Sequence, residues 1–215
     1  MFCPFYFKIS LFDKVARFIL NIDEPQGTEL RETKGPPRFT VKIDENLSSS
    51  NVKIDEQRIG QHRMTFLISG NGKALANSQL IQDKAYFEVK VIKPGNIGIG
   101  VSKNTKNHLN EGVGQDQESW GVLFTSRDGP SIYKVAQGTV IGCLFDQSDV
   151  PAMISFTKDD RPIDGAKVSG MKGSVVPAIS VSGGAEIEVI FDSQLLEYNP
   201  PSGFSPIIFS QNFMF

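Results

Sequence analysis

Apolar and polar residues alternate along most of this chain. Residues 85–102 show the pattern most clearly. Phe87, Val89 and Val91 fall on one face of an extended segment, and Tyr86, Glu88, Lys90 and Ile92 on the other. The first face is expected to be buried and the second mostly wet. Pro94-Gly95-Asn96 follows as a turn, since proline presets φ and glycine or asparagine tolerates positive φ. Residues 97–101 resume the extended pattern with glycine at alternate positions, Gly98 and Gly100. The whole stretch predicts a hairpin, with another backbone or a ring packed closely against its second strand. Similar short runs occur at 64–68, 120–125, 139–145, 152–157, 175–181 and 187–191. Between them lie Gly70-Asn71-Gly72, Asp128-Gly129-Pro130, Asp159-Asp160 and Gly183-Gly184. Val-Lys-Ile-Asp-Glu occurs twice, at 41–45 and 52–56, and predicts two further strands around a polar loop. With no helical periodicity between these runs, the pattern predicts an all-β antiparallel sandwich.

The ends of the chain read differently. From Met1 to Ile22, Phe12, Val15, Ala16, Ile19 and Ile22 follow helical spacing, with Asp13, Lys14 and Arg17 off that stripe. The charges there argue against a secretory leader or a membrane span. A short amphipathic helix is expected, docked on the domain or lying on a membrane surface or in a partner's groove. Phe2 excludes myristoylation. Residues 21–38 are polar and rich in Pro and Gly, a linker. The expected organisation is an accessory segment at 1–46, the sandwich at 47–197, and a tail at 198–215 that packs back on it.

Composition narrows the chemistry. A net charge of −2 over 215 residues, without a Lys/Arg cluster, disfavours nucleic acid. The 20 Gly, 12 Pro and 16 Phe suit many strands and tight turns around an aromatic core. Cys3 and Cys143 form no disulfide framework, which suits a reducing, cytoplasmic setting. Two cysteines with His62 and His108 make no metal-ligand cluster, and no cofactor motif is present. A nucleophilic Cys143 with His62 or His108 is a formal enzyme reading, and the carboxylate pair Asp159-Asp160 reads as a solvated hairpin tip. The place of Cys143 in an apolar run disfavours a thiolate.

Four motifs then fall in order. They are Tyr86-Phe87-Glu88-Val89 with Gly98-Ile99-Gly100-Val101; Ser119-Trp120-Gly121 with Asp128-Gly129 and Tyr133; residues 138–143 with Phe145-Asp146 and 154–158; and Pro177-Ala178-Ile179-Ser180 leading to Phe191. Together they resemble the SPRY domain. The resemblance implies a bent, concanavalin-like or jelly-roll-like sandwich of two antiparallel sheets, Trp120 as a buried anchor, and edge loops that recognise a protein segment without catalysis. Some positions depart from the family. Asn96-Ile97 stands where an aromatic commonly precedes the Ile-Gly-Val strand. Asp159-Asp160 replaces the usual Asn-Gly tip. Leu109 and Ser182-Gly183-Gly184 replace two aromatic contributors to the family's peptide pocket.

The expected function is that of a non-enzymatic protein-interaction module, an adaptor or scaffold with a protein partner. Its expected contact residues are Ser102, Lys103, Asn104, His108, Leu109 and Asn110 on one loop, and Ser182, Gly183 and Gly184 on another. The alternatives are a carbohydrate-binding sandwich and a membrane-surface scaffold anchored through residues 1–22.

Overall fold

A computed structural model describes residues 40–60 and 63–210, and their alternating segments form fourteen strands. The helix expected in residues 1–22 and the linker up to residue 38 lie outside the described residues. In chain order the strands are β1 (Ile43–Asp44), β2 (Val52–Ile59), β3 (Arg63–Gly70), β4 (Gly72–Ala76), β5 (Lys84–Lys93), β6 (Asn96–Ser102) and β7 (Ser119–Thr125). They continue with β8 (Tyr133–Lys134), β9 (Val140–Asp146), β10 (Met153–Lys158), β11 (Arg161–Ser169), β12 (Val176–Ser182), β13 (Glu186–Ile190) and β14 (Ser205–Pro206). A small sheet has the order β1-β4-β12-β6-β7-β8. A larger one has the order β11-β10-β9-β5-β13-β3-β2, with β14 added beside β5. All pairings are antiparallel except β7 with β8 and β14 with β5. The chain is therefore a two-sheet sandwich.

The stretch 85–102 is not a hairpin. Its strand β5 pairs with β9 and β13 in the large sheet, while β6 pairs with β12 and β7 in the small one. Both strands carry an apolar face, so the turn sends them into opposite sheets, where Phe87, Val89 and Val91 share one core with Ile97, Ile99 and Val101. A second crossing between sheets, from β12 to β13, runs alongside. A Cβ on Gly95 would lie 2.6 Å from the amide nitrogen of Ala185. Phe191 meets Phe66 and Phe87 at centroid distances of 6.0 and 5.6 Å, and Phe124 meets Phe156 edge-on at 5.5 Å. Truncating one such ring to alanine costs about 3–5 kcal/mol.

The outer face of β5 is not wet. Tyr86 and Glu88 are as buried as the core, at 1% and 0% exposure. The chain after β13 returns over that face, which periodicity within β5 could not reveal. Glu88 Oε2 accepts from the Glu197 amide at 2.7 Å, and its Oε1 accepts from the Tyr198 amide at 3.0 Å and the Tyr86 hydroxyl at 2.8 Å. Burial raises the Glu88 carboxyl above its usual range, although these donors pull it down. Lys90 pairs with Glu197 at the rim. Beyond it, Ile207 is buried in the main core.

The two-residue β10–β11 tip requires left-handed backbone, and Asp159 and Asp160 adopt it with φ of 48° and 65°. Asp159 Oδ1 accepts from the Val140 amide at 2.9 Å, which offsets part of its strain. Asp160 has no comparable bond among the described residues. Replacing Asp160 by Gly is therefore expected to stabilise the chain by about 1 kcal/mol, measured by denaturant unfolding, whereas Asp159→Gly gains less or loses.

Candidate partner-binding cleft

Alternation in the small sheet sets the floor of the site. Ile97, Ile99 and Val101 of β6 face the core, so Asn96, Gly98, Gly100 and Ser102 face outward. Gly121 of β7 pairs with Gly100. The long β6–β7 connection, residues 103–118, lies over this nearly side-chain-free floor. A Cβ on Gly98 would come within 2.3 Å of Ser180 Oγ and 3.2 Å of Val113 Cβ. One on Gly121 would lie 2.5 Å from Val113 Cγ1. Of the alternate glycines, Gly98 is approached by Ser180 and by Val113 of the connection, whereas a Cβ on Gly100 would lie 2.0 Å from Trp120 O in the neighbouring strand β7. Val113 joins Leu75, Val176 and Ala178 in a satellite apolar cluster, with Leu47 and Leu109 against it.

Polar bonds lock the connection in place. Lys73 of β4 and Asp116 have side chains only 1% exposed, and Lys73 Nζ donates to Asp116 Oδ2 at 2.5 Å and to Ser119 Oγ at 3.2 Å. Ser119 Oγ donates to the same carboxylate at 2.6 Å, and the Glu118 amide donates to Oδ1 at 2.7 Å. The Gly114 amide donates to Ser119 Oγ, the Val113 amide to Ser180 Oγ, and the Lys73 amide to Leu109 O. Burial would raise the Asp116 carboxyl, but Lys73, Ser119 and the Glu118 amide outweigh it and hold it below its usual range.

The two predicted loops leave opposite ends of neighbouring strands, since Ser102 pairs with Val176 and Ser182 with Asn96. The connection then doubles back and brings part of them together. Ser102 is buried, its Oγ donating to Lys103 O and Glu118 O. Lys103 Nζ stands 3.9 Å from Glu118, and Asn104 is exposed nearby. His108, in left-handed backbone at φ 56°, places Nδ1 2.7 Å from Glu111 Oε1. That hydrogen bond holds the imidazolium above its usual range. His108, Leu109 and Asn110 line a concavity of about 340 Å³ with Ser49, Ser50 and Lys106. Asn110 also lines a second one of about 260 Å³ with Ser180 and Ser182. A Cβ on Gly183 would lie 3.3 Å from Asn96 Nδ2, and one on Gly184 would lie 3.9 Å from Lys93 Nζ. Asn110 is therefore the side chain shared by both concavities.

Sequence reasoning missed Asn71, Asn96 and Gln115, which line the second concavity, and Lys73 with Asp116, which hold its wall. The pattern of outward glycines in β6 was the available signal, because such a floor needs something to lie on it. Trp120 is half-buried rather than enclosed. Cys143 is completely buried in β9, and burial pushes its thiol up, away from the nucleophilic thiolate.

The model of the SPRY domain matches residues 84–194. SPRY domain-containing protein 7 of Gallus gallus is 30% identical over 175 residues, covering 74% of this chain and 85% of that protein. The Homo sapiens protein of the same name is 29% identical over the same shares. Among solved structures, the TRIM65 PSpry domain superposes with a TM-score of 0.52 at 11% identity, over 71% of this chain and 92% of that one, a likeness of fold.

Asp116 generates a pH prediction. Its carboxyl is depressed in the fold, so its stabilising contribution is complete above the unfolded value of about 3.9 and is lost as pH falls through the folded value. Asp116→Asn is expected to cost about 3–5 kcal/mol at pH 7, because Lys73 is left charged and buried. That gap should narrow below about pH 4 in denaturant titrations. A gap independent of pH would contradict the assignment.

Proposed function

The chain belongs to the SPRY domain family, and we propose that it is a non-enzymatic adaptor that captures an extended segment of a partner protein across the two concavities meeting at Asn110. SPRY domains generally mediate protein–protein interactions. The observation that carries the reading is Asn110 itself, held from behind by Ser49 Oγ at 2.7 Å and exposed toward both concavities. Loops anchored on a rigid sandwich can present such a surface at little cost to the fold. In this reading His108, Leu109, Asn110 and Ser182 touch the partner, with Gly183 and Gly184 leaving room beside them. Lys103 and Asn104 flank the path, and Ser102 braces the loop from inside.

The buried Cys143 supports the non-enzymatic part of the proposal, and as a free thiol it suits a cytoplasmic setting. Association with a membrane surface through residues 1–22 is a separate proposal. Liposome flotation of the full chain against one starting at Gly27 decides it, since equal flotation removes the anchor.

The adaptor reading is tested by in-cell crosslinking of the full chain, comparing wild type with His108→Ala/Asn110→Ala and with Ser182→Tyr. Recovery of the same crosslinked partners is expected to fall about tenfold or more in both variants, each still folded and unfolding cooperatively on heating. Undiminished recovery in both would remove this surface as the site.

A further inference from the structure

The second concavity has an unusual lining for a surface cleft. Charged residues are 21% of the chain, yet none of the described residues around this cleft is ionisable. Its polar groups are carboxamides and hydroxyls: Asn71, Asn96, Asn110, Gln115, Ser180 and Ser182. The hydrogen bonds behind them decide which end each amide offers. Ser49 Oγ donates to Asn110 Oδ1 at 2.7 Å, which leaves Asn110 Nδ2 outward as a donor. The Gly112 amide donates to Gln115 Oε1 at 3.2 Å, which leaves Gln115 Nε2 as a second donor. A Cβ on Gly112 would lie 2.8 Å from Gln115 Oε1, so a larger residue there would push this side-chain end aside. Asn96 is turned the other way. Its Nδ2 donates to Ser182 Oγ at 3.4 Å, so its Oδ1 is the free acceptor. The cleft thus displays two donors and an acceptor, without a compensating charge.

Resting on the peptide-capture reading above, we infer that this cleft selects a neutral carboxamide side chain, asparagine or glutamine, from the partner segment and rejects its carboxylate isosteres. A carboxamide accepts from Asn110 Nδ2 and Gln115 Nε2 while its own NH₂ donates to Asn96 Oδ1. A carboxylate has nothing to donate to Asn96 and enters a site with no cation to offset its lost hydration. An ammonium cannot accept from the two amide donors. Discrimination of this kind rests on unpaired polar groups, which cost more than a missing contact between apolar groups.

The test uses the full chain as bait for a displayed library of random twelve-residue peptides, followed by titration of the best synthetic peptide. Enriched sequences are expected to share an asparagine or glutamine. Changing it to Asp or Glu should weaken binding about tenfold or more, as should Gln115→Glu in the chain, with thermal unfolding unchanged. If the enriched peptides carry an acid or a base at the shared position, or tolerate the exchange, the carboxamide assignment falls. Ser182→Tyr, which fills the cleft, separates the two readings. Peptides lost on Ser182→Tyr but indifferent to the acid overturn only the specificity. Peptides that bind Ser182→Tyr undiminished, or no enrichment over it, overturn the site as well. On a parallel glycan panel, a neutral oligosaccharide held by wild type and lost on Ser182→Tyr overturns both in favour of sugar recognition.

Discussion

The Lys73–Asp116 pair is the interaction on which the shape of the outer surface depends. Two ions with almost no exposure can be held only where each finds the other and further partners besides. Ser119 and the Glu118 amide supply those partners. Because Lys73 sits on β4 and Asp116 at the far end of the β6–β7 connection, the pair ties a long loop across the face of a sheet. Without it, the loop would keep the contacts of Val113 and Leu109 with the satellite cluster, the Ser49–Asn110 and Val113–Ser180 bonds and a few backbone bonds, none of which reaches Asp116. The cleft between loop and sheet exists because the loop cannot lift.

The other sheet solves a related problem with one carboxylate. Glu88 faces outward on β5 and is buried there by the returning chain, whose amides at Glu197 and Tyr198 it receives. Asp116 has a cation beside it and titrates low, whereas Glu88 has neutral donors and titrates high. The contrast follows from the partners: both are buried, and only one meets a positive charge within its shell. In each case a polar residue on the nominally solvent side of a strand fastens an irregular segment to that strand.

Much of the sandwich was legible in the sequence. The runs around Phe66, Phe87, Ile99, Phe124, Cys143, Phe156, Ile179 and Val189 announce strands because alternation and β-branched residues leave little else for them to do. The partition of strands between sheets was not legible. A turn such as Pro94-Gly95 serves a hairpin or a crossing equally well, and only packing of both apolar faces into one core selects the crossing. Strand β4 escaped notice because Gly-Lys-Ala-Leu-Ala has no strand-like alternation and hides a buried lysine. Strand β11 escaped because Pro162 and Gly165 interrupt it at a sheet edge. For the site, the loops carrying Asn110 and Ser182 were legible from the resemblance and from their polar, glycine-bearing composition. Their meeting was not, since it depends on a buried ion pair formed by residues 43 positions apart.

The claim that this pair fastens the loop is tested most directly by amide hydrogen exchange in Asp116→Asn against wild type. The account predicts that the Val113 and Gly114 amides, bonded to Ser180 and Ser119, exchange about tenfold or more faster in the variant under native conditions, while the β6 amides of Ile99 and Val101 keep their protection. Unchanged exchange at Val113 and Gly114, or equal acceleration throughout β6, would contradict it.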